Sequence, residues 1–253
     1  MESYLHQLHE LYRDIRQEKY VKYKGSILPP KHLRLCSRDY RDDRYFLKSA
    51  ELEAERLRTR LDCDLSSRVL DIGCGAGRLA IGILRRIGDI DYYGLDVLRD
   101  RIDWCNRFLA RSHPSFHFLF LDVYSTRYNT SGRPIDDTFM FEFPDSHFDI
   151  VNLYGVLTNM TETHAKIYLR DIHRLIKPGG RVFLSAFVER DVPNVTVNPE
   201  GYLGIVSTGP LQIVRYDTNY FLSILRDSDL KLTDMEKMGQ EFHESQTAFY
   251  LTK

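Results

Sequence analysis

Apolar positions along this chain change period twice, and each change predicts a different kind of element. Near the start, Leu5, Leu8, Leu11 or Tyr12, and Ile15 recur at helical spacing and predict a short amphipathic helix serving as a lid or cap. Gly25 and the pair Pro29 and Pro30 interrupt it, and a second helical stripe follows over about 45–61 through Leu47, Ala50, Ala54, Leu57 and Leu61. The other faces of this second helix carry Glu51, Glu53, Glu55, Arg56 and Arg58. They read as a solvated surface laced by the i,i+3 pairs Glu53 with Arg56 and Glu55 with Arg58. Thereafter short apolar runs alternate with helical stripes. Strands are expected at 68–72, 92–95, 116–121, 148–154 and 182–187, and helices at 77–87, 97–110, 162–176 and 218–227. Two last strands, 230–238 and 247–251, have no helix between them. The pattern predicts an α/β fold: a seven-stranded, mainly parallel, doubly wound sheet with an antiparallel C-terminal hairpin at one edge.

Composition narrows the class. With 253 residues, 43% of them hydrophobic, the chain closes one core, and a single domain is expected. Its parts are an N-terminal helical cap (1–62), a core (63–187), an insertion (188–217) and a C-terminal helix with strands (218–253). The 35 basic and 36 acidic residues leave a net charge of −1, so no global field recruits nucleic acid or an anionic membrane. Cys36, Cys63, Cys74 and Cys105 are spaced as neither a metal clip nor a secreted disulfide framework. The first residues carry charge where a signal peptide needs an apolar core, and no run approaches membrane-spanning length. A soluble protein of the reducing cytoplasm is expected, with no metal site.

The chemistry concentrates at residues 69–80, V-L-D-I-G-C-G-A-G-R-L-A. A strand leads through Asp71 into Gly73, Gly75 and Gly77 and then into a helix, a turn that lets backbone approach a nucleoside-bearing ligand. The dinucleotide pattern G-x-G-x-x-G/A fits poorly, because its third small position falls on Arg78. If the turn holds a nucleoside, an acid belongs at the end of the next strand to accept from both ribose hydroxyls. Asp96 stands there, with helix capping as its plainer role. The third strand also ends in an acid, Asp122, followed by Val123; Asp after a strand is also common turn chemistry. Further on, 148–154 reads F-D-I-V-N-L-Y, and 175–184 reads L-I-K-P-G-G-R-V-F-L, where Pro178 stops a helix and the paired glycines permit positive φ before the next strand.

Taken in this order, the pieces resemble the class I, Rossmann-like S-adenosylmethionine-dependent methyltransferases, of the bacterial small-molecule type. The resemblance covers roughly half of the chain and implies transfer of a methyl group from the sulfonium of S-adenosylmethionine, with S-adenosylhomocysteine as product. It further implies that Asp71 lies beneath the methionine portion and that Gly73, Cys74, Gly75 and Gly77 border its carboxypropyl and ribose parts. Asp96 would hold the ribose, and Val97 and Leu98 would lie beside the adenine. Asp122 would receive the adenine amino group, Val123 would offer a main-chain NH, and Leu153 would complete the site.

The acceptor is less legible. Where similar small-molecule enzymes carry V-F-T-H-M after the fourth strand, this chain has Val156-Leu157-Thr158-Asn159-Met160, and asparagine cannot act as a base. Asn159 either orients a substrate group or caps the next helix. Tyr154, at a strand end, and His164, near a helix start, complete the catalytic candidates. His173 suits a helix C-terminus, and His6 with His9 read as a partly exposed face. Without an obvious base, the balance tilts toward N-methylation or proximity-driven O-methylation. In the insertion, the turn Asn198-Pro199-Glu200-Gly201 lies between two β-favouring runs and predicts a hairpin or lid, with Val195, Val197, Tyr202, Leu203, Ile205 and Val206 covering an acceptor. Arg190, Asp191, Tyr216 and Asp217 are its most chemically useful side chains. The expected function is methylation of an O or N nucleophile of a small molecule, such as a natural product or sugar-like intermediate. Nucleic acid and membrane are not expected as partners, and a homodimer is left open. A macromolecule methyltransferase and a catalytically silent partner protein are the alternatives.

Overall fold

The computed structural model describes residues 19–34, 38–204, 209–239 and 246–253. The apolar stripe from Leu5 to Ile15, His6, His9, Cys36, Ile205 and Val206 lie outside the described residues. The described part opens with a hairpin that the periodicity did not predict, β1 (Val21–Tyr23) against β2 (Ser26–Leu28), turned by Lys24 and Gly25 with positive φ at both.

Helix α1 (Asp43–Arg60) starts where the Asp42 side chain accepts from the Tyr45 amide. It packs on α2 (Arg78–Arg86) so closely that a Cβ on Gly82 would lie 1.9 Å from the Ala50 carbonyl oxygen. The solvated-face reading of α1 holds for the exposed pair of Glu55 with Arg58 at 2.5 Å, but not for Glu53. Glu53 is 2% exposed and pairs with Arg78 at 2.7 Å, because α2 covers that face. The Arg56 guanidinium lies over the Phe183 ring at 4.9 Å.

Five parallel strands form the centre of the sheet: β3 (Arg68–Ile72), β4 (Asp91–Asp96), β5 (Phe116–Phe120), β6 (Phe148–Leu153) and β7 (Ile176–Glu189). Helix α3 (Arg99–Cys105), prolonged by a π-wound turn at Asn106–Ala110, joins β4 to β5, and α4 (Glu162–Leu175) joins β6 to β7. The insertion forms a hairpin of β8 (Val195–Val197) and β9 (Val214–Asp217), and β9 adds in parallel to the end of β7. Residues 198–213 connect the two strands, so the Asn198 turn starts the connection and does not close it. After α5 (Thr218–Asp227), β10 (Lys231–Lys237) and β11 (Thr247–Thr252) pair antiparallel. β11 also pairs antiparallel with β7, giving the order β10-β11-β7-β6-β3-β4-β5. β7 begins directly after α4, earlier than periodicity predicts. Ile176 pairs with Phe148 and Arg181 with Ile150, so Lys177-Pro178-Gly179-Gly180 bulges out of the ladder.

Alternate residues of the strands feed two cores. Val69, Tyr92 and Phe116 face α1, α2 and α3, whereas Leu70, Leu95 and Val151 face α4 and α5. A leucine as buried as Leu70, at 0% exposure, contributes about 2 kcal/mol. The two covered faces hold the strand ends rigid, and the glycine turn projects from those ends.

Candidate active site

At the carboxyl ends of β3, β4 and β6 a cavity of about 220 Å³ opens. A smaller one of about 80 Å³ shares Gly73, Gly75, Arg101 and Tyr154 with it. The glycine turn that separates them is fixed from behind. Gly73 and Cys74 both donate their amides to the Leu95 carbonyl, at 2.7 and 3.0 Å. Gly73 has φ +80°, and a Cβ there would lie 2.5 Å from the Val156 side chain.

Asp96 closes this arrangement. One carboxylate oxygen accepts from the Gly75 amide at 2.7 Å and the other from the Leu98 amide at 2.8 Å. The carboxylate therefore ties the glycine turn to the start of α3 while lining the larger cavity. Its burial, at 8% exposure, pushes the carboxyl above its usual range, against the two amides and Arg101.

Beneath the turn lies a buried polar cluster. Asp71 accepts from the Tyr92 hydroxyl at 2.6 Å and from the Asn152 amide at 2.7 Å. Burial and the neighbouring Glu53 push its carboxyl up. Arg34 and Arg101 border the same small cavity, 4% and 6% exposed. Arg34 donates from Nε to the Pro29 carbonyl and from Nη1 to the Tyr40 carbonyl, and Nη1 also pairs with Asp43. Its Nη2 is buried with no hydrogen-bond partner, as is the Asn152 Oδ1.

The larger cavity continues past Tyr154 to a wall built by α4 and by the connection from β5 to β6. His164 and Tyr168 come from α4, which starts where the Thr161 hydroxyl accepts from the His164 amide. Burial holds the His164 imidazole below its ordinary value. Tyr168 stacks on Phe139 at 5.3 Å and meets Phe141 edge-on at 4.9 Å. Phe141 donates its amide to Asp171, and Arg174 donates to the Phe141 and Phe143 carbonyls, so the connection is rooted on α4. From this root it sends Tyr124, Thr126 and Tyr128 over the cavity, where Leu211 of the insertion joins them.

Of the residues singled out from sequence, Gly73, Gly75, Asp96, Val97, Leu98, Val123, Tyr154, Asn159 and His164 meet around the larger cavity, and Asp71 and Cys74 around the smaller. Gly77 lines neither; it is the left-handed N-cap of α2, and a Cβ there would strike Leu109. Leu153 is buried in β6, and the Asp122 carboxylate accepts from Asn129, both away from the lining. Asn159 donates its side-chain amide to the Gly155 carbonyl and the Thr158 hydroxyl, holding the short turn that follows β6. Asp217 caps α5, and the Tyr216 hydroxyl is buried without a partner. Sequence reasoning missed Arg34, Glu53, Arg101, Thr126 and Tyr168. For Arg101 and Tyr168, position on helices that follow strand ends was the available signal.

Among the described residues, no helix is long and apolar enough to cross a membrane, and no group of three or more His, Cys, Asp or Glu is arranged to hold a metal ion. Cys63, Cys74 and Cys105 are free and buried.

A family model described as a methyltransferase domain matches residues 41–235. The ubiquinone biosynthesis O-methyltransferase of Pseudomonas aeruginosa is 30% identical over 165 residues, covering 64% of this chain and 60% of that protein. An uncharacterized methyltransferase of Schizosaccharomyces pombe is 25% identical over 137 residues, 54% of this chain and 45% of its own. The chain thus matches about half of the length of these curated relatives. The crystal structure of a SAM-dependent methyltransferase from Methanosarcina mazei superposes with a TM-score of 0.52 at 15% identity, covering 76% of this chain and 94% of that one. With this fold, this glycine turn and a family match spanning most of its length, the chain belongs to the methyltransferase domain family and has the Rossmann-like fold of the Methanosarcina mazei structure.

Proposed function

We propose that the protein transfers the methyl group of S-adenosylmethionine to a hydroxyl oxygen of a small molecule. The observation that carries this reading is one cavity running from the Asp96 carboxylate to His164, roofed by the connection after β5. An ionised carboxylate has about four acceptor sites, and the Gly75 and Leu98 amides occupy two, so Asp96 retains one on each oxygen for the ribose hydroxyls. The smaller cavity fits an α-amino acid. Glu53 supplies a carboxylate for an ammonium, with Asp71 beside it, and Arg101 supplies donors for a carboxylate. When bound, S-adenosylmethionine supplies an electrophilic methyl group and a sulfur that takes the electron pair of the breaking C–S bond.

The chain's own contribution is positioning and removal of a proton. A hydroxyl is a poor nucleophile until its proton leaves. His164 lines the cavity with its imidazole held neutral by burial, ready to take that proton at neutral pH. This supports O-methylation, and the roof over the cavity supports a small acceptor over a polymer. The His164→Gln variant tests the reading. Calorimetry should show unchanged S-adenosylhomocysteine affinity while transfer falls by about 10²- to 10³-fold. The wild-type rate should rise with pH through a value below the ordinary histidine pKa of about 6.5 and then level off. Unimpaired transfer by the variant, with the same pH profile, would reject His164 as the base.

A further inference from the structure

A basin of about 350 Å³ lies where the β1–β2 hairpin, α1 and the far end of α2 meet. Helix α2 runs nine residues from the glycine turn to this basin, about 14 Å at 1.5 Å per residue, so the basin is separate from the active site. Lys24, Arg44, Lys48, Arg85 and Arg86 line it together with one acid, Glu51. Five cations against one carboxylate leave a formal excess of four positive charges, in a chain whose net charge is −1. All five cationic residues are exposed and within reach of a dissolved ion.

The acid builds the frame. Glu51 accepts from Arg85 Nε at 2.5 Å and from Arg86 Nη2 at 2.7 Å, and Arg85 Nη1 donates to the Lys24 carbonyl and the Ser26 hydroxyl. The hairpin and both helices are thereby clamped together, and the basin between them is preformed. These contacts, with their place in the last turn of α2, give Arg85 and Arg86 a structural role. The other cations stand where the fold is opposed to them. Arg44 lies in the first turn of α1, at the positive end of the helix dipole, and Lys48 follows at i+4 as a like charge on the same face. Lys24 holds a φ of +46° in the hairpin turn, with its ammonium 5.6 Å from the Tyr23 ring. The acids nearest to Arg44 in sequence are engaged elsewhere: Asp42 accepts from the Tyr45 amide, and Asp43 pairs with Arg34. An anion seated in the basin accounts for all three placements.

The charge excess sets the class of that anion. Guanidinium forks match phosphate oxygens, and an excess of four concentrated in one basin matches several charges on one small group. A nucleic-acid backbone spreads its charges along its length, and the net charge of −1 supplies no wider field to hold it. We propose that this basin binds a clustered phosphate group, either a soluble di- or triphosphate or a multiply phosphorylated headgroup. Arg44, Lys48 and Arg86 contact the phosphates, while Arg85 and Glu51 hold the frame.

The test uses the whole purified protein and inorganic tripolyphosphate, with calorimetry in a metal-free buffer at constant ionic strength. The wild type should bind tripolyphosphate at least about tenfold tighter than orthophosphate. Arg44→Gln combined with Lys48→Gln should weaken that binding by at least about tenfold. Arg107→Gln combined with Arg111→Gln, which removes the same charge outside the basin, should leave it within about twofold. The first double variant should melt no lower than the wild type, because it relieves the dipole and the like-charge pair, so its lost binding is not lost folding. No tripolyphosphate binding by the wild type, undiminished binding by the Arg44 and Lys48 variant, or equal losses in both double variants overturns the proposal. Oligothymidylate that displaces tripolyphosphate at equal phosphate concentration overturns the clustered-phosphate class. Phosphatidylcholine vesicles carrying phosphatidylinositol 4,5-bisphosphate separate the two sources. Co-sedimentation that tripolyphosphate reverses assigns a lipid headgroup, and tripolyphosphate binding without co-sedimentation assigns a soluble phosphate.

Discussion

Replacing Asp96 by asparagine asks how much one carboxylate contributes by holding two backbone amides and a ligand together. In the wild type each oxygen accepts one amide hydrogen, from Gly75 at 2.7 Å and from Leu98 at 2.8 Å. Asparagine keeps one acceptor oxygen and turns an NH₂ toward the other amide, so one charge-assisted bond is lost and a donor faces a donor. Such a bond contributes about 1.5–3 kcal/mol. Burial offsets part of that, because removing the charge also removes the desolvation that raises this carboxyl. The net loss should therefore lie near the lower bound, about 1.5 kcal/mol, which for a chain of this size lowers Tm by about 3–6 °C. The same change frees the Gly75 turn and removes the acceptor proposed for the ribose, so affinity for S-adenosylhomocysteine should drop by at least about tenfold. Scanning calorimetry and titration calorimetry on the same preparation read both effects. A variant that melts within about 1 °C of the wild type and binds S-adenosylhomocysteine within about twofold would refute the clasp.

Three further substitutions probe the turn and the cluster beneath it. Gly73→Ala and Gly75→Ala both place a side chain at positive φ, a strain of about 1 kcal/mol each. Only at Gly73 does the new Cβ meet Val156 at 2.5 Å, so denaturant unfolding should find Gly73→Ala less stable than Gly75→Ala by about 1 kcal/mol or more; equal losses would contradict the packing of Val156 on the turn. For Asp71, burial and Glu53 raise the folded pKa to about 7, above its unfolded value. The folded state thus keeps a proton that the unfolded chain releases, and stability from this group falls as pH rises from about 4 to about 7. Asp71→Asn should flatten the fall in unfolding free energy across that window. Parallel pH profiles for the two proteins would show that Asp71 is not its source.

How far the sequence discloses this molecule depends on how local the determining interactions are. The strand, glycine turn and helix over 68–86, and the acid at Asp96, are encoded by neighbours in sequence, and they come out where the pattern predicts. Burial of Glu53 is not encoded that way. On α1 alone it belongs to a charged face, and it becomes interior only because Gly82 lets α2 approach Ala50 and bring Arg78 over it. The connection between β5 and β6 is equally opaque: its Phe139, Phe141 and Phe143 alternate as in a strand, yet no strand forms there, and the partner of the first two, Tyr168, lies on a later helix. The roof of the acceptor end was unreadable for that reason. The bulge at Lys177-Pro178-Gly179-Gly180 shows the converse, a turn correctly expected that nonetheless sits inside one long strand, because pairing with β6 resumes at Arg181.

The root of that roof bears on how the protein can be altered. Helix α4 carries His164 and Tyr168 and also, through Asp171 and Arg174, anchors the connection that bears Thr126. The proposed base and the aromatic wall thus travel with the connection as one cassette, whereas the residues proposed to bind the donor belong mainly to strand ends and the glycine turn. Exchanging residues 122–147 alone between relatives would strand Phe139 and Phe141 without their tyrosine. Transplanting that stretch together with α4 moves an intact acceptor chamber onto an unchanged donor site, so acceptor preference can diversify among descendants of one ancestor while the donor stays fixed.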